Sequence, residues 1–324
     1  MDDKRKYALP TQNDVRPVNP VLTDLSIGYK NPDFIWDLVA PVVSVDEKSG
    51  TYFIWTKDFW FRTFGESGGS KRSPEGNYKR VAYGLSTDTY DTDEYGFEKP
   101  TGDPVVAASQ TPENLENQDV AFLTNLMEME LEVMTAAELF VSSKWGTDNT
   151  LSGTNQWSDF ANSDPIGDFD TAKATVRLAT GMVPDRAVMG IDTWNDLKEH
   201  PLIIDKYKHT QAGIMTEQLV AAALGVNEIV VGSTVKNTAK EGQTYVGANV
   251  WGDSCLLLPS VAAPALETPA GAYRFIWDEA GNVPWAIQEY REDQTRSNVS
   301  RVFTHTISKV TSSASGYLFL DTAA

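Results

Sequence analysis

The 324-residue sequence predicts an α+β fold, in which a hairpin, one long helix and long closing strands accompany a compact α/β block. Three patterns support this class. Aromatic and β-branched residues stand on both sides of a glycine-rich stretch, which predicts a long hairpin. A helical apolar period then continues for about thirty residues. Short helices and strands alternate after it, and the chain ends with long strand-like runs.

The composition limits the classes of function that are open to the chain. Its 45 acidic and 27 basic residues give a formal charge of −18, whereas tight binding to a phosphate backbone needs a basic surface. The one cysteine, Cys255, allows no disulfide framework within the chain and is expected to be a small buried residue. The sequence contains no apolar signal segment and no membrane-length apolar run, which predicts a protein made in the cytoplasm.

The N-terminal region is predicted to be an extended arm. Residues 1–20 are polar, contain three prolines and have no helical or alternating period. Such an arm needs a partner surface to become ordered. Thr23 or Asp24 then fits a helix cap, and an apolar cluster at 34–38 precedes a short strand.

The next region is predicted to be a hairpin that projects from the body. Aromatic and β-branched residues fill both faces of "TYFIWTKDFWFRTF" (51–64), and a glycine-rich tip follows at 65–76. The returning strand shows the alternating residues Val81, Tyr83 and Leu85. A two-stranded ribbon with this much aromatic surface is not stable alone in water, so it should lie against another surface.

A long helix is predicted to begin at Thr111-Pro112-Glu113, where a cap residue, a first-turn proline and a first-turn acid follow one another. At ~1.5 Å per residue it would span ~45 Å and form a spine, with a coiled coil as the alternative. The carboxylates of Glu128 and Glu132 are expected on its exposed face, and not as an acid and base couple. The predicted apolar stripe comprises Phe122, Leu126, Met129, Val133, Ala137 and Phe140, and the predicted polar face comprises Asn125, Glu128, Glu132 and Thr135.

The second half of the chain is predicted to be an α/β block closed by long strands. A polar loop leads to a helix near 168–180, and Asp192 and Thr216 are expected to cap the next two helices, with Gly225 just past a helix end. Strands are predicted at "DRAVMG", "NEIVVG", "NVWGDSCLLLP", the run from "AYRFIW" to "THTISKV", and "SGYLFLD".

Nucleotide-binding motifs are incomplete. In "GESGGSKRS" a serine precedes Lys71 and an arginine follows it, so neither the glycine nor the hydroxyl of a P-loop is in place. In "QLVAAALGVNEIVVG" (218–232), Gly225 and Gly232 flank a strand, whereas a dinucleotide site needs glycines that lead from a strand into a helix. We therefore expect an α/β packing element at 218–232 and no cofactor site.

Metal and catalytic motifs are incomplete as well. "DTDEYGFE" (91–98) resembles the start of a calcium loop, but Tyr95 occupies a ligand position and Gly102 replaces the bidentate glutamate, so a solvated acidic turn is expected. The three histidines have no zinc-site spacing. The sequence thus indicates no catalytic residue, no cofactor and no metal ligand.

The order of arm, hairpin, long helix, α/β block and closing strands resembles the major capsid proteins of tailed bacteriophages. The stretch from "PDRAVMGIDTWNDLKEHP" to "VWGDSCLLLP" is similar to the axial-domain core of one subfamily, and "LTDLSIGYKNPDFIWDLVAPVVSVDEKSGTYFIWTKDFWFR" is similar to its arm and extended loop. The resemblance covers residues 20–324. It implies the following parts: an N-terminal arm at 1–45, an extended loop at 46–105, a peripheral domain at 106–180 and 271–310 with a spine helix at 112–145, and an axial domain at 181–270 and 311–324.

The resemblance also implies a function without enzymatic activity. Copies of the chain are expected to form the pentamers and hexamers of an icosahedral shell that encloses double-stranded DNA without binding it tightly. A scaffold protein, a portal and a decoration protein are the implied partners, and the shell would be the virion capsid, assembled in the host bacterial cytoplasm. The residues expected at the subunit interface are Phe59, Trp60, Phe61, Phe64, Lys71 and Arg72.

Two alternatives and one modification stay open at this point. An encapsulin-like compartment shares the fold implied by the resemblance, and a cytoplasmic α/β enzyme is the remaining reading. Some related capsid proteins form an isopeptide bond between a loop lysine and an asparagine of a neighbour. Lys71 and Lys79 lie in the corresponding loop, and solvated side chains are the simpler expectation for both.

Overall fold

The computed structural model contains two five-stranded sheets, two short two-stranded ribbons and a helix of 28 residues. The residues it describes are 34–54, 72, 74–78, 80, 86–108, 112–207, 216–240, 242–260, 271–277 and 284–323. The helices are α1 (Trp36–Val39), α2 (Asp103–Ala108), α3 (Pro112–Leu139), α4 (Pro165–Thr180), α5 (Ile191–Glu199), α6 (Pro201–Tyr207) and α7 (Glu217–Leu224). The strands are β1 (Val42–Val45), β2 (Ser49–Ile54), β3 (Ser86–Asp91), β4 (Asp93–Gly102), β5 (Thr147–Thr150), β6 (Arg186–Gly190), β7 (Glu228–Gly232), β8 (Val235–Asn237), β9 (Gly247–Asn249), β10 (Cys255–Leu258), β11 (Ala272–Trp277), β12 (Ala286–Glu292), β13 (Ser297–Val310) and β14 (Tyr317–Leu320).

The first sheet is built around β13, the 14-residue strand predicted from the C-terminal sequence. This strand pairs antiparallel with β4 along most of its length, with β12 near its start and with β11 near its end. The strand β1 pairs parallel to β11, so a segment that precedes the hairpin lies in the same sheet. The predicted closing strands are confirmed.

The second sheet has the order β5-β14-β10-β6-β7 and contains both parallel and antiparallel pairs. The predicted helices and strands of the α/β block are all present, and α4, α5 and α7 contribute side chains to the core on one face of this sheet. The segment 147–180 packs into the same core through Trp157 and Phe169, which are fully buried. Trp157 also donates from Nε1 to Asp168 Oδ2 at 2.9 Å.

The stretch 147–150, predicted to be part of a polar loop, is strand β5. Its partner is β14, which lies near the other end of the chain. The backbone amide of Trp157 likewise donates to the carbonyl of Thr322 at 2.8 Å. The loop prediction was wrong because a pairing between residues so far apart leaves no local pattern in the sequence.

Of the predicted helix ends, Gly225 is confirmed, because it ends α7 with φ +68°, a left-handed conformation that favours glycine. Thr216 occupies the N-cap position of α7 as predicted, but its side chain makes no capping hydrogen bond. The predicted caps Thr23, Asp24 and Thr111 lie outside the described residues. Asp164, which was not predicted as a cap, caps α4 by accepting from the Gly167 amide at 3.0 Å. Asp192, predicted to cap α5, lies in the first turn of that helix, and Gly190 occupies the cap position. The Asp192 carboxylate instead accepts from Asn249 Nδ2 at 2.6 Å. It still lies near the positive end of the helix dipole.

The long helix is present as α3, but it ends at Leu139 and not at 145 as predicted, and its predicted orientation was wrong. Phe122, expected in the apolar stripe, is 52% exposed, and its neighbour Leu123 is 1% exposed. The predicted polar face is largely buried, since Glu128, Glu132 and Thr135 have almost no exposed surface. The helix packs against the first sheet with residues between Val120 and Leu131, and against the second sheet with its C-terminal end, which includes Ala136 and Leu139. The helix therefore contributes buried side chains to two cores, whereas the predicted arrangement had a single apolar stripe.

The acidic stretch at 91–98 lies mostly in strand β4 and does not form the expected turn. Its carboxylates remain largely exposed, while its backbone pairs with β13. Glu98 lies opposite Arg301 in this pairing, and Glu98 Oε2 is 2.8 Å from Arg301 Nη2. Opposite charges across a strand pair stabilise a sheet, and this contribution is invisible in the local sequence.

No helix within the described parts of the chain is long and apolar enough to cross a membrane. The same residues contain no group of three histidine, cysteine, aspartate or glutamate side chains that could hold a metal ion.

Candidate subunit interface

The base of the predicted hairpin is formed by β2 and β3, paired from Ser49 with Asp91 to Ile54 with Ser86. Tyr52 and Tyr90 contact Phe275 of β11, with ring centroids 5.3 and 5.0 Å apart. The Tyr52 hydroxyl donates to Asp88 Oδ2 at 3.1 Å, and the Tyr90 hydroxyl donates to the Glu47 carbonyl at 3.3 Å. The aromatic loop sequence thus starts and ends at a base that is held against the first sheet.

Of the six residues predicted at the interface, the structure describes one. Phe59, Trp60, Phe61, Phe64 and Lys71 lie outside the described residues, as do Lys79 and the returning residues Val81, Tyr83 and Leu85.

Arg72, the described member of the predicted set, is exposed and makes local contacts. Its Nη2 donates to the Pro74 carbonyl at 3.3 Å, and its guanidinium carbon lies 4.4 Å from the ring centroid of Tyr78. Tyr78 itself is 76% exposed. Tyr78, with the Arg72 guanidinium over its ring, is therefore an accessible aromatic residue that was not among the six predicted.

A buried carboxylate holds the segment that leads into the N-terminal region. Glu132 is 0% exposed, and its Oε2 accepts from the amides of Ile35 and Trp36 at 3.0 and 2.8 Å. Its Oε1 accepts from Thr234 Oγ1 at 3.2 Å and from Trp251 Nε1 at 2.6 Å. One side chain of α3 therefore joins residues 35–36 to two residues beside the second sheet.

Burial raises the pKa of the Glu132 carboxyl above its ordinary value, because the charged form loses its water, while the four donors favour the ionised form. The prediction that Glu128 and Glu132 lie on an exposed face was wrong for both residues. The central position of Glu132 has no signal in the sequence, since an acidic residue on an amphipathic helix usually faces solvent.

Arg274 of β11 is a second buried charged residue, and it contacts α3 beside Glu132. It donates from Nη2 to Thr135 Oγ1 at 2.5 Å and to the Leu131 carbonyl at 3.2 Å, and it lies over the Trp36 ring at 5.7 Å. Burial lowers the pKa of Arg274 to about 10, so the guanidinium stays charged at neutral pH. This cation ties β11 to the same turn of α3 that carries Glu132.

The buried pair Ser163 and His200 has the composition of a nucleophile and its base, but its hydrogen bonds do not suit catalysis. Ser163 Oγ lies 3.1 Å from His200 Nε2, while His200 Nδ1 accepts from the Leu202 amide at 3.3 Å. Because Nδ1 is the acceptor, the neutral ring carries its proton on Nε2 and donates towards the serine. A general base needs the opposite arrangement.

Cys255 is fully buried in β10, as expected for a small core residue. Burial raises the pKa of its thiol, so the reactive thiolate is disfavoured.

The two glycines of "QLVAAALGVNEIVVG" serve backbone geometry and packing. Gly225 supplies the left-handed end of α7. A Cβ atom at Gly232 would lie 2.0 Å from Cδ1 of Trp251 and clash with it, so this glycine makes room for the side chain that donates to Glu132. Most apolar side chains of this stretch pack in the core of the second sheet, as predicted.

A groove of about 430 Å³ lies between α2, α3 and the strands β12 and β13. Val106, Leu115 and Val299 form its apolar part, and Asp119 and Glu289 contribute carboxylates. Several apolar side chains elsewhere on the described surface are also exposed, among them Phe53, Val105, Leu178, Val183, Val235, Tyr245 and Val246.

Comparisons with known proteins agree on one family. A family model described as phage major capsid protein E matches residues 137–272. The major capsid protein of Burkholderia phage BcepMu is 31% identical to the chain over 239 residues, which are 73% of this chain and 76% of that protein. The chain belongs to the phage major capsid protein family. A major capsid protein of Pseudomonas phage JBD67 is 28% identical over 240 residues, 73% of this chain and 75% of the relative.

Solved structures show the same capsid fold. A phage-related protein from Bordetella bronchiseptica has a TM-score of 0.75 at 23% identity and covers 95% of this chain and 98% of its own. The mature capsid of bacteriophage PhiM1 has a TM-score of 0.57 at 12% identity, with 92% and 90% of the two chains covered. An encapsulin from Synechococcus elongatus has a TM-score of 0.53 at 9% identity, with 91% and 89% covered. The capsid family has a structural role in the virion.

Proposed function

We propose that the chain is the building block of an icosahedral shell, in which identical copies form pentamers and hexamers around packaged double-stranded DNA. The 31% identity to a phage major capsid protein, over three quarters of that relative, carries this proposal. In it the chain acts as a structural protein of the virion capsid and not as an enzyme. Assembly takes place in the host bacterial cytoplasm, with a separate scaffold protein, a portal and a decoration protein as further partners.

The hairpin supplies the main contact between copies in this proposal. Its loop sequence contains Phe59, Trp60, Phe61 and Phe64, and each fully buried side chain contributes about 1.5–3 kcal/mol before ordering costs. The aromatic packing of Tyr52 and Tyr90 on Phe275 supports the proposal, because a loop with a fixed base loses less entropy when a neighbour covers it. Lys71 and Arg72 add polar contacts at the rim.

The two sheets supply a domain division for the proposed subunit. The first sheet, with α3 up to Leu131, corresponds to the peripheral domain, and the second sheet corresponds to the axial domain. Because residues 147–180 pack in the core of the second sheet, we place them with the axial domain. Residues 1–45 form the arm, which contacts neighbouring copies, and the hairpin from β2 to β3 forms the extended loop.

The charge of the chain suits a container for DNA. A formal charge of −18 repels a phosphate backbone, so DNA is enclosed without tight binding and does not adhere to the wall during packaging. The same charge opposes contact between copies. At about 0.15 M salt the Debye length is ~8 Å, so apolar burial at short range outweighs repulsion between distant charges.

Sedimentation of variants tests the hairpin contact. We expect Trp60→Ala to leave a folded subunit that sediments as monomers under conditions where the parent chain forms shells. Tyr245→Ala is the matched control, because it removes an exposed aromatic side chain of the described surface outside the hairpin. Shells of normal yield and size from Trp60→Ala would contradict the proposed contact.

Particle contents separate this function from its alternatives. Electron microscopy and nucleic-acid analysis of particles from infected cells should find DNA inside shells of this chain. Particles that hold a protein cargo and no DNA would favour an encapsulin-like compartment, whose likeness here is one of fold. Turnover of a substrate by isolated monomers would favour the enzyme reading.

A further inference from the structure

We infer that Glu132 is the anchor of the N-terminal arm, in that its carboxylate holds residues 35 and 36 of that arm against the body of the subunit. The inference rests on the proposed function, in which the arm contacts neighbouring copies. It assigns to one buried residue of α3 the positioning of the arm segment 34–41, which belongs to the part of the arm that the structure describes. Glu132 is a positioning residue, since it acts through this segment.

The chemistry of the site requires a carboxylate. The two amides of the arm segment donate to Oε2, and the groups beside the second sheet, Thr234 Oγ1 and Trp251 Nε1, donate to Oε1. All four partners are donors as bonded here, so each oxygen must accept. A glutamine has one acceptor oxygen and an NH₂ group, which would face one of the two donor pairs and leave it without an acceptor.

Neighbouring contacts hold the segment after the anchor. Arg186 Nη1 donates to the Leu38 carbonyl at 2.6 Å, and the Arg274 amide donates to the Pro41 carbonyl at 3.0 Å. Trp36 lies beside Trp285, with ring centroids 6.4 Å apart. These contacts fix residues 36–41 against the body, whereas Glu132 holds the amides of residues 35 and 36 near the start of the segment.

The same helix offers a matched control. Glu138 Oε2 accepts from the Ser308 amide at 3.1 Å, so it is also a carboxylate of α3 that binds a backbone amide. Its partner belongs to β13 and not to the arm segment. Loss of the Glu138 carboxylate should therefore leave the arm segment in place.

Hydrogen exchange on the unassembled full-length chain tests the anchor directly. In the parent chain we expect the amides of Ile35 and Trp36 to be protected to a degree similar to those of β13. In Glu132→Gln, exchange of these two amides should become at least about tenfold faster, because they lose their charged acceptor in either orientation of the side chain and face the NH₂ group or a neutral oxygen. In Glu138→Gln, the two amides should keep their parent rates.

Two results would overturn the anchor. One is free exchange of the Ile35 and Trp36 amides in the parent chain, a measurement that does not depend on whether any variant folds. The other is unchanged protection of these amides in a folded Glu132→Gln. Rapid exchange in that variant, with β13 still protected, would support the inference.

Shell morphology then tests what the anchor does for assembly. We expect Glu132→Gln to give irregular or fewer shells and Glu138→Gln to give shells of parent form. Regular shells from Glu132→Gln with released amides would overturn the assembly role of the anchor. The proposed function has its own test: it is contradicted when the parent chain itself forms no DNA-containing shells, whatever the variants do.

Discussion

At the residue scale, buried polar side chains of this capsid protein hold together segments that lie far apart in the sequence. Glu132 joins residues 35–36 to Thr234 and Trp251, and Arg274 joins β11 to α3. Removing one partner of such a contact leaves the other buried without compensation, which costs about 1–3 kcal/mol for a polar group and more for a charge. These residues therefore specify the arrangement of the cores.

His200 makes stability depend on pH at the same scale. The residue is 0% exposed and accepts from the Leu202 amide, and burial lowers its pKa below the ordinary value of 6.5. The unfolded chain therefore binds a proton at a higher pH than the folded chain does. Stability that is fully present above about pH 6.5 should decline as the pH falls towards the lowered folded pKa.

Urea unfolding of the unassembled subunit between pH 7 and 5.5 measures this dependence. We expect the midpoint for the parent chain to fall over this range, and the fall to be smaller in His200→Gln, which has no titrating ring. Ser163→Ala is the control, because it removes the partner of Nε2 and keeps the imidazole. An identical pH slope in His200→Gln would show that other groups determine it.

At the element scale, α3 connects the two sheets because different parts of it contribute to different cores. Residues Val120, Leu123, Met127 and Leu131 belong to the core of the first sheet, and Ala136 and Leu139 in the last turn belong to a core with the second sheet. A helix buried on more than one side has no single polar face. This explains why a carboxylate of α3 lies in the interior.

Adjacent substitutions test the observed orientation of α3. Leu123→Ala should cost about 2–5 kcal/mol in the free energy of unfolding, because it creates a cavity beside the first sheet. Phe122→Ser should change stability by no more than about 0.5 kcal/mol, because its side chain is mostly exposed. Chemical denaturation of unassembled subunits gives both values. The reverse order of effects would restore the orientation predicted from the sequence.

At the scale of the whole molecule, assembly balances apolar burial against net charge. Each copy carries a formal charge of −18, and exposed apolar residues such as Phe53 and Tyr245 are distributed over the described surface. Repulsion between copies is long in range and is screened by salt, whereas apolar contacts act at short range. Ionic strength is therefore the solution variable that shifts this balance.

We expect shell formation to strengthen as sodium chloride is raised from about 0.05 to 0.5 M, since the Debye length falls over this range. Light scattering at fixed protein concentration measures the extent of assembly. Potassium chloride at the same ionic strength is the control and should give the same curve, because screening depends on ionic strength. Weaker assembly at higher salt would indicate that ion pairs between copies dominate the contact.

Local periods, caps and turn residues, which the chain expresses within a few residues, predict the fold class, the hairpin base, the long helix and the closing strands. The order of these elements and the stretches quoted for it carry the capsid resemblance. Three features emerge when the chain is folded: β5 pairs with β14, 91–98 lies mostly in a strand, and Glu132 is buried under residues 35–36. Each of these depends on a partner far away in the sequence, and the burial of a charge becomes favourable only when donors from several segments meet it.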